Sequence, residues 1–269
     1  MKTTIINSLK KTFSLINKHR NLIALLFILQ FIFFVVMFYV NVHYQIKIMD
    51  SASVIVETLE NQELTDEDVA MDFLQQQSLM EGSFALYNAS KEVTKNVGIL
   101  VALVLIIYVS LGGLIWSLTD QLLNKKKPKQ FLAYIAKFAL ITVICGLLTF
   151  IILMLAGSRL KEELSFNYLW LILLVFVFYF VFISYSLIGK LKLKDLAKQT
   201  FLIGIKKAHY ILLAYTTNIL AIFLFGFIMY LLIEGFILLL TIAMILFILV
   251  YVWARLFLVI FIDNIKLNL

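Results

Sequence analysis

Six long apolar runs, separated by linkers that alternate between basic and acidic, constrain this chain more than any other feature. A helix rises about 1.5 Å per residue and a bilayer's hydrocarbon core is about 30 Å thick, so a span takes about 20 apolar residues. The runs at roughly 21–44, 97–117, 131–156, 168–188, 210–232 and 236–262 meet that length. Of the 269 residues 63% are hydrophobic, against roughly 45–50% in a soluble domain. The mean hydropathy is +1.01, so lipid is the solvent for much of the chain. With 24 Phe and one Pro, the composition favours long unbroken helices over barrel strands, which alternate in polarity. The expected fold class is an all-α polytopic membrane protein with six transmembrane helices.

Lys and Arg counts orient the spans. Residues 1–20 carry five bases and no acid, 117–130 carry four lysines against Asp120, and 189–209 carry six lysines against Asp195. Residues 45–95 hold ten acids and three bases, 157–167 hold two of each, and the last turn has only Glu234. Alternation over six spans then places both termini in the cytoplasm of a protein of the cell membrane. The first run, with basic residues before it, is not a cleaved leader: Leu22–Val40 is longer than the roughly 7–15 residues of a signal-peptide apolar region.

The net charge of +7 borders apolar runs, which fits attraction to an anionic leaflet. No nucleic-acid-binding motif accompanies it, so no nucleic-acid partner is expected. The lone Cys145 excludes an intramolecular disulfide. Tyr44, Trp116, Tyr134, Tyr168, Trp170 and Tyr210 fall near span ends and are read as interfacial anchors.

Residues 1–20 read as a cytoplasmic amphipathic helix at the membrane surface, with Ile5, Ile6, Leu9, Phe13 and Ile16 at helical spacing among lysines. The six-helix domain occupies 21–269. Before span five, Leu196, Phe201 and Ile205 repeat the pattern. The two segments share text: Thr12-Phe13 with Lys18-His19, and Thr200-Phe201 with Lys206, Lys207 and His209. A fainter third copy runs Lys129-Gln130-Phe131, then Ile135 and Lys137. Phe131 lies 118 residues after Phe13 and 70 before Phe201. That difference approximates the acidic linker, which then reads as an insertion in the first of three helix-pair repeats.

These segments, together with Trp253-Ala254-Arg255 in span six, resemble six-helix membrane families of prokaryotes. Among them is the membrane domain found beside some glycerophosphodiester phosphodiesterases. The acidic insertion departs from that pattern. The phosphodiesterase catalytic domain has no counterpart in these residues, so the resemblance implies a prokaryotic membrane module and carries no activity.

Residues 45–95 form an acidic extracytoplasmic insertion, expected as two short helices capping the bundle. Thr65 before Asp66, Glu67 and Asp68 resembles a helix start, and Val54, Ile55 and Leu59 share a face. The acids, with Asp72, lack the spacing of a calcium loop. Asn88-Ala89-Ser90 is a sequon that makes Asn88 a candidate glycosylation site.

Ionisable residues inside lipid are costly and mark candidate sites. Lys137 has a stem long enough to snorkel to the inner interface. Arg255 is expected either to pair with Asp120 or to hold a lipid phosphate. Gln30, Asn41, Thr216, Thr217 and Asn218 serve a polar path or interhelical hydrogen bonds, and Gly98, Ala102, Gly112 and Gly113 permit close packing. No catalytic, cofactor-binding or metal-ligating set occurs around His19, His43 or His209, and no mid-span break of the transporter kind is present. The expected function is a non-enzymatic integral membrane protein that assembles with a partner protein or a second copy, or organises membrane lipid. The alternative is a small-solute transporter or channel.

Overall fold

A computed structural model describes the backbone over residues 2–65, 72–124, 128–157, 164–232 and 237–266. Among these residues the regular structure is all helical: α1 (Lys2–Lys18), α2 (Arg20–Thr65), α3 (Asp72–Ile107), a π-helical turn (Tyr108–Gly112), α4 (Gly113–Asn124), α5 (Pro128–Gly157), α6 (Leu164–Leu187), α7 (Leu193–Lys206), α8 (Ala208–Leu231) and α9 (Ile237–Lys266). Six stretches are long and apolar enough to cross a bilayer: Arg20–Glu60, Ser83–Asn124, Gln130–Leu155, Leu169–Leu187, Ala208–Leu231 and Ile237–Ile265. Protein buries only 11–22% of each one's most apolar window, so lipid must cover the rest. The chain is an all-α polytopic membrane protein.

Residues Phe34–Ile107 form one compact unit, and Met1–Phe33 with Tyr108–Leu269 form another. In the first, the expected short capping helices are instead continuations of the spans. α2 runs 46 residues without a break, about 69 Å. No Gly or Pro interrupts residues 45–65. Ser51, Ser53 and Thr58 turn their hydroxyls onto carbonyls of their own helix, at Lys47, Asp50 and Val54. Thr65, expected to open a helix, is the last residue of α2. Asp66, Glu67 and Asp68 lie outside the described residues.

In the second unit, α9 is the post. Leu256 through Ile262 are all buried, which is the signature of a helix enclosed on every face. α1, α4, α6 and α8 pack against it. One apolar cluster joins α2, α4 and α9 through Ile23, Leu26, Ile115, Leu122, Val252 and Leu256. The larger one gathers Trp116, Phe138, Ile183, Ile203, Ile211 and Phe257, one from each of α4 to α9. Trp116 (7% exposed) and Tyr134 (3%) belong to this core, correcting their reading as interfacial anchors. Both sit near helix ends, but protein rather than headgroups surrounds them.

α1 and α7 adopt the same layout 188 residues apart. Lys18 and Lys206 end the two helices, His19 and Lys207 each form a one-residue break, and Arg20 and Ala208 open the spans. The bridging backbone bonds match: His19 N–H donates to Leu15 O and Lys207 N–H to Ile203 O, both at 3.0 Å. Ser8, Thr12, Ile23, Leu26 and Gln30 are buried, and so are Leu196, Thr200, Ile211, Ala214 and Asn218 at the same offset. The fainter copy in α5 lacks this layout. Its break would fall at Lys137, which lies inside an uninterrupted helix.

At Gly204, α7 lies close against α6. A Cβ there would lie 2.5 Å from the Phe180 ring and 3.3 Å from Ile183. Gly112 and Gly113 similarly admit Phe138, at 3.6 and 3.2 Å, whereas Gly98 has nothing within 4 Å. Gly204→Ala is therefore expected to destabilise by about 1–3 kcal/mol. Gly98→Ala is expected to be neutral or stabilising by up to about 1 kcal/mol through helix propensity. Thermal unfolding of both variants in detergent checks the pair, and equal melting points would contradict the packing.

Candidate functional site

The centre of the second unit holds a guanidinium. Arg255 lies 18 residues into α9, well inside the apolar span. Its Nη2 donates to Oε1 of Gln30 on α2. Its plane sits 5.7 Å over the ring of Trp116 on α4, so the ring's negative face supplies part of the missing solvation. Gln30 is 3% exposed, and its carbonyl is the neutral acceptor that a buried cation needs.

From Trp116 an aromatic series runs inward. Trp116 and Tyr185 are 5.4 Å apart, Tyr185 and Phe138 4.4 Å, and Phe138 and Tyr108 5.8 Å. The Tyr185 and Thr142 hydroxyls are 2.8 Å apart, and Thr142 donates to Phe138 O at 2.8 Å. Tyr134 donates to Tyr185 O at 3.0 Å. Tyr108 opens the π-helical turn. Such a turn inserts an extra residue into a helix and recurs at functional positions. Here it coincides with the glycines that let Phe138 approach.

One residue before Arg255, Ala254 is held by the equivalent helix. Asn218 Nδ2 donates to Ala254 O at 2.9 Å. Thus Gln30 and Asn218, at matching depths in α2 and α8, grip adjacent residues of α9. Of the other polar residues expected to line a path, Asn41 bonds Met37 O, Thr216 bonds Leu212 O and Thr217 bonds Leu213 O, each within its own helix.

A second polar layer closes the end where α9 finishes. The turn after α6, residues 188–192, receives groups from three helices. Asp120 of α4 presses its carboxylate against Gly189 and accepts from Asn124 Nδ2 at 2.8 Å. Lys137 of α5 donates to Leu191 O at 2.9 Å. Asp263 of α9 pairs with Lys190 of the turn itself. Asn264 donates to Ser8 Oγ at 2.9 Å, tying α1 to the same end. Lys137 thus snorkels as its length allows, and its ammonium is spent on a backbone carbonyl. Arg255 has Gln30 as its hydrogen-bond partner, while Asp120 sits in this other layer.

In the Phe34–Ile107 unit, Lys47, Asp50, Glu92 and Lys95 border an open cleft of about 400 Å³. Lys95 and Glu92 pair at 3.2 Å, and Lys47 lies 5.4 Å over Tyr44. Two charges of each sign leave no net charge there. Asn88 is exposed on α3, and the Ser90 hydroxyl of its sequon bonds Tyr87 O at 2.9 Å.

Comparison with protein-family models, with curated proteins and with solved structures finds no match to this chain. The site must be read on its chemistry. It offers one cation, neutral acceptors and phenols, and it holds helices in register. Gln30→Leu removes the guanidinium's acceptor and is expected to cost about 1.5–3 kcal/mol. Asn218→Leu removes a bond to a carbonyl and should cost about 0.5–1.5 kcal/mol. Thermal melts of the two variants read this order, and wild-type melting of Gln30→Leu would refute the clamp.

Proposed function

We propose that this is a non-enzymatic protein of the cell membrane, with both termini cytoplasmic, that assembles with a partner or a second copy or organises lipid. The observation that carries the reading is how its intramembrane polar groups are used. Arg255, Gln30, Asn218, Thr142 and Tyr185 bond to one another or to backbone. None is arrayed with a nucleophile and base as acyl or phosphoryl transfer requires. Large apolar side chains such as Phe38 (72% exposed), Phe223 (70%) and Ile237 (81%) face outward along the spans, the surface that lipid or another membrane helix would cover. The basic end formed by α1, α7 and the turn around residue 190 fits the cytoplasmic leaflet under the positive-inside rule.

Native mass spectrometry after purification in mild detergent tests this. The expected result is retained phospholipid, an oligomer or a bound membrane partner. Bare monomers under all mild conditions would sink the reading. The transporter alternative needs water at Thr142 and Asn218, which are 6% and 8% exposed. Single cysteines at those positions, in a background lacking Cys145, are expected to resist a water-soluble maleimide in membranes. Rapid labelling of both would favour the transporter.

A further inference from the structure

Two sets of residues repeat at the 188-residue offset, one buried and one exposed. The buried set holds α1 and α7 against the bundle. The exposed set is Lys10, Phe13 and Lys18 on α1, with Lys198, Phe201 and Lys206 on α7. All six are exposed. Phe13 is 58% exposed and Phe201 54%. In each helix the buried Thr immediately precedes the exposed Phe: Thr12 is 0% exposed and Thr200 3%.

Apolar burial therefore accounts for neither ring in full: Phe201 lies 4.8 Å from the Phe180 ring yet stays more than half exposed, as Phe13 does, although the sequence places both in the apolar pattern of their helices. Three residues before each ring a lysine stands on a neighbouring part of the face, and a second lysine ends each helix. The four lysines have no hydrogen-bond or ion-pair partner among the described residues. α1 carries no acid and α7 only Asp195. Both helices lie at the end of the bundle where α9 finishes, α1 through the Asn264–Ser8 bond and α7 through the turn that Asp263 holds. Each leads through a single-residue break into a span. That position is the boundary between acyl chains and headgroups, where an exposed Phe enters the hydrocarbon edge and Lys reaches phosphate.

We infer that the Lys10–Phe13–Lys18 and Lys198–Phe201–Lys206 faces are paired docking stations for anionic phospholipids of that leaflet. The rings sit among the acyl chains and the ammonium groups take the headgroup phosphates. The inference deepens the lipid-organising reading and rests on it. Matched stations on two helices at the same end of the bundle give the protein two equivalent holds on one leaflet.

The test uses the full chain, reconstituted in bilayers of mixed zwitterionic and anionic phospholipid and then extracted in mild detergent. The headgroups of retained lipid are measured by mass spectrometry. Wild type is expected to retain anionic lipid in excess of its bulk share. A Lys10→Gln, Lys18→Gln, Lys198→Gln, Lys206→Gln variant should lose that excess by about threefold or more, given the attraction of each surface lysine to an anionic leaflet. A Phe13→Ala, Phe201→Ala variant should retain less lipid with the same headgroup preference. Retained lipid without anionic enrichment, or enrichment unchanged in the lysine variant, overturns the inference and leaves the broader reading standing, as does a retained partner with no lipid. Neither lipid nor partner overturns both. Displacement of the retained lipid by inorganic phosphate alone would make the lysines generic anion sites and also overturn it.

Discussion

A guanidinium within the hydrocarbon has to be solvated by protein, and this requirement organises the centre of the molecule. Placing an Arg near the middle of a span costs about 2.5–3.5 kcal/mol. A hydrogen bond from a charged group contributes about 1.5–3 kcal/mol and a desolvated cation–π contact up to about 2. Gln30 and Trp116 together offset much of the cost of Arg255, either alone offsets less, and its buried Nη1 has no hydrogen-bond partner among the described residues. Both must be present, so α2, α4 and α9 are fixed in one register. Trp116 also packs on Tyr185 and through it on Phe138, so that register passes to α5 and α6. The π-helical turn and its glycines complete the chain of contacts.

Charge is graded with depth. At the level of Arg255 the acceptor is neutral, whereas opposite charges of the same unit meet at the end of α9, where Lys190 and Asp263 keep 18% and 25% of their side-chain surface exposed. A partly solvated pair avoids most of the desolvation penalty that a fully buried pair incurs. The turn after α6 can therefore be held by ionic groups from several helices, while the interior relies on amide, hydroxyl and aromatic contacts.

The spans were legible from hydropathy because lipid demands it of any spanning helix. Four of the six agree with the sequence reading to within a few residues. The first two run on because hydropathy ends where the apolar residues end, but helix ends where backbone bonding fails. Nothing in residues 45–65 makes it fail. Trp116 and Tyr134 were misplaced for a related reason: aromatics near a span end suit either a headgroup belt or a core, and only tertiary packing separates the two. Arg255 was legible as a costly group, but its partners were not. A carboxylate is the partner that charge reasoning supplies, and it does not anticipate a glutamine and an indole drawn from distant helices. Lys190 with Asp263 left no signal, since each looks like an ordinary interfacial charge.

One signal was present in the sequence and went further than its text. Gln30 follows Phe13 by 17 residues, and Asn218 follows Phe201 by the same number. Both face α9 at the same depth, yet they do different work there. The longer glutamine reaches a side chain, and the shorter asparagine reaches the backbone one residue earlier. On a helix, adjacent residues point about 100° apart. Two helices that approach α9 from different directions therefore meet different atoms, and polar residues of different length reach them. The correspondence at the 188-residue offset holds in burial, in the breaks and at Thr12 and Thr200, whereas Gln30 and Asn218 share a depth and differ in what they reach.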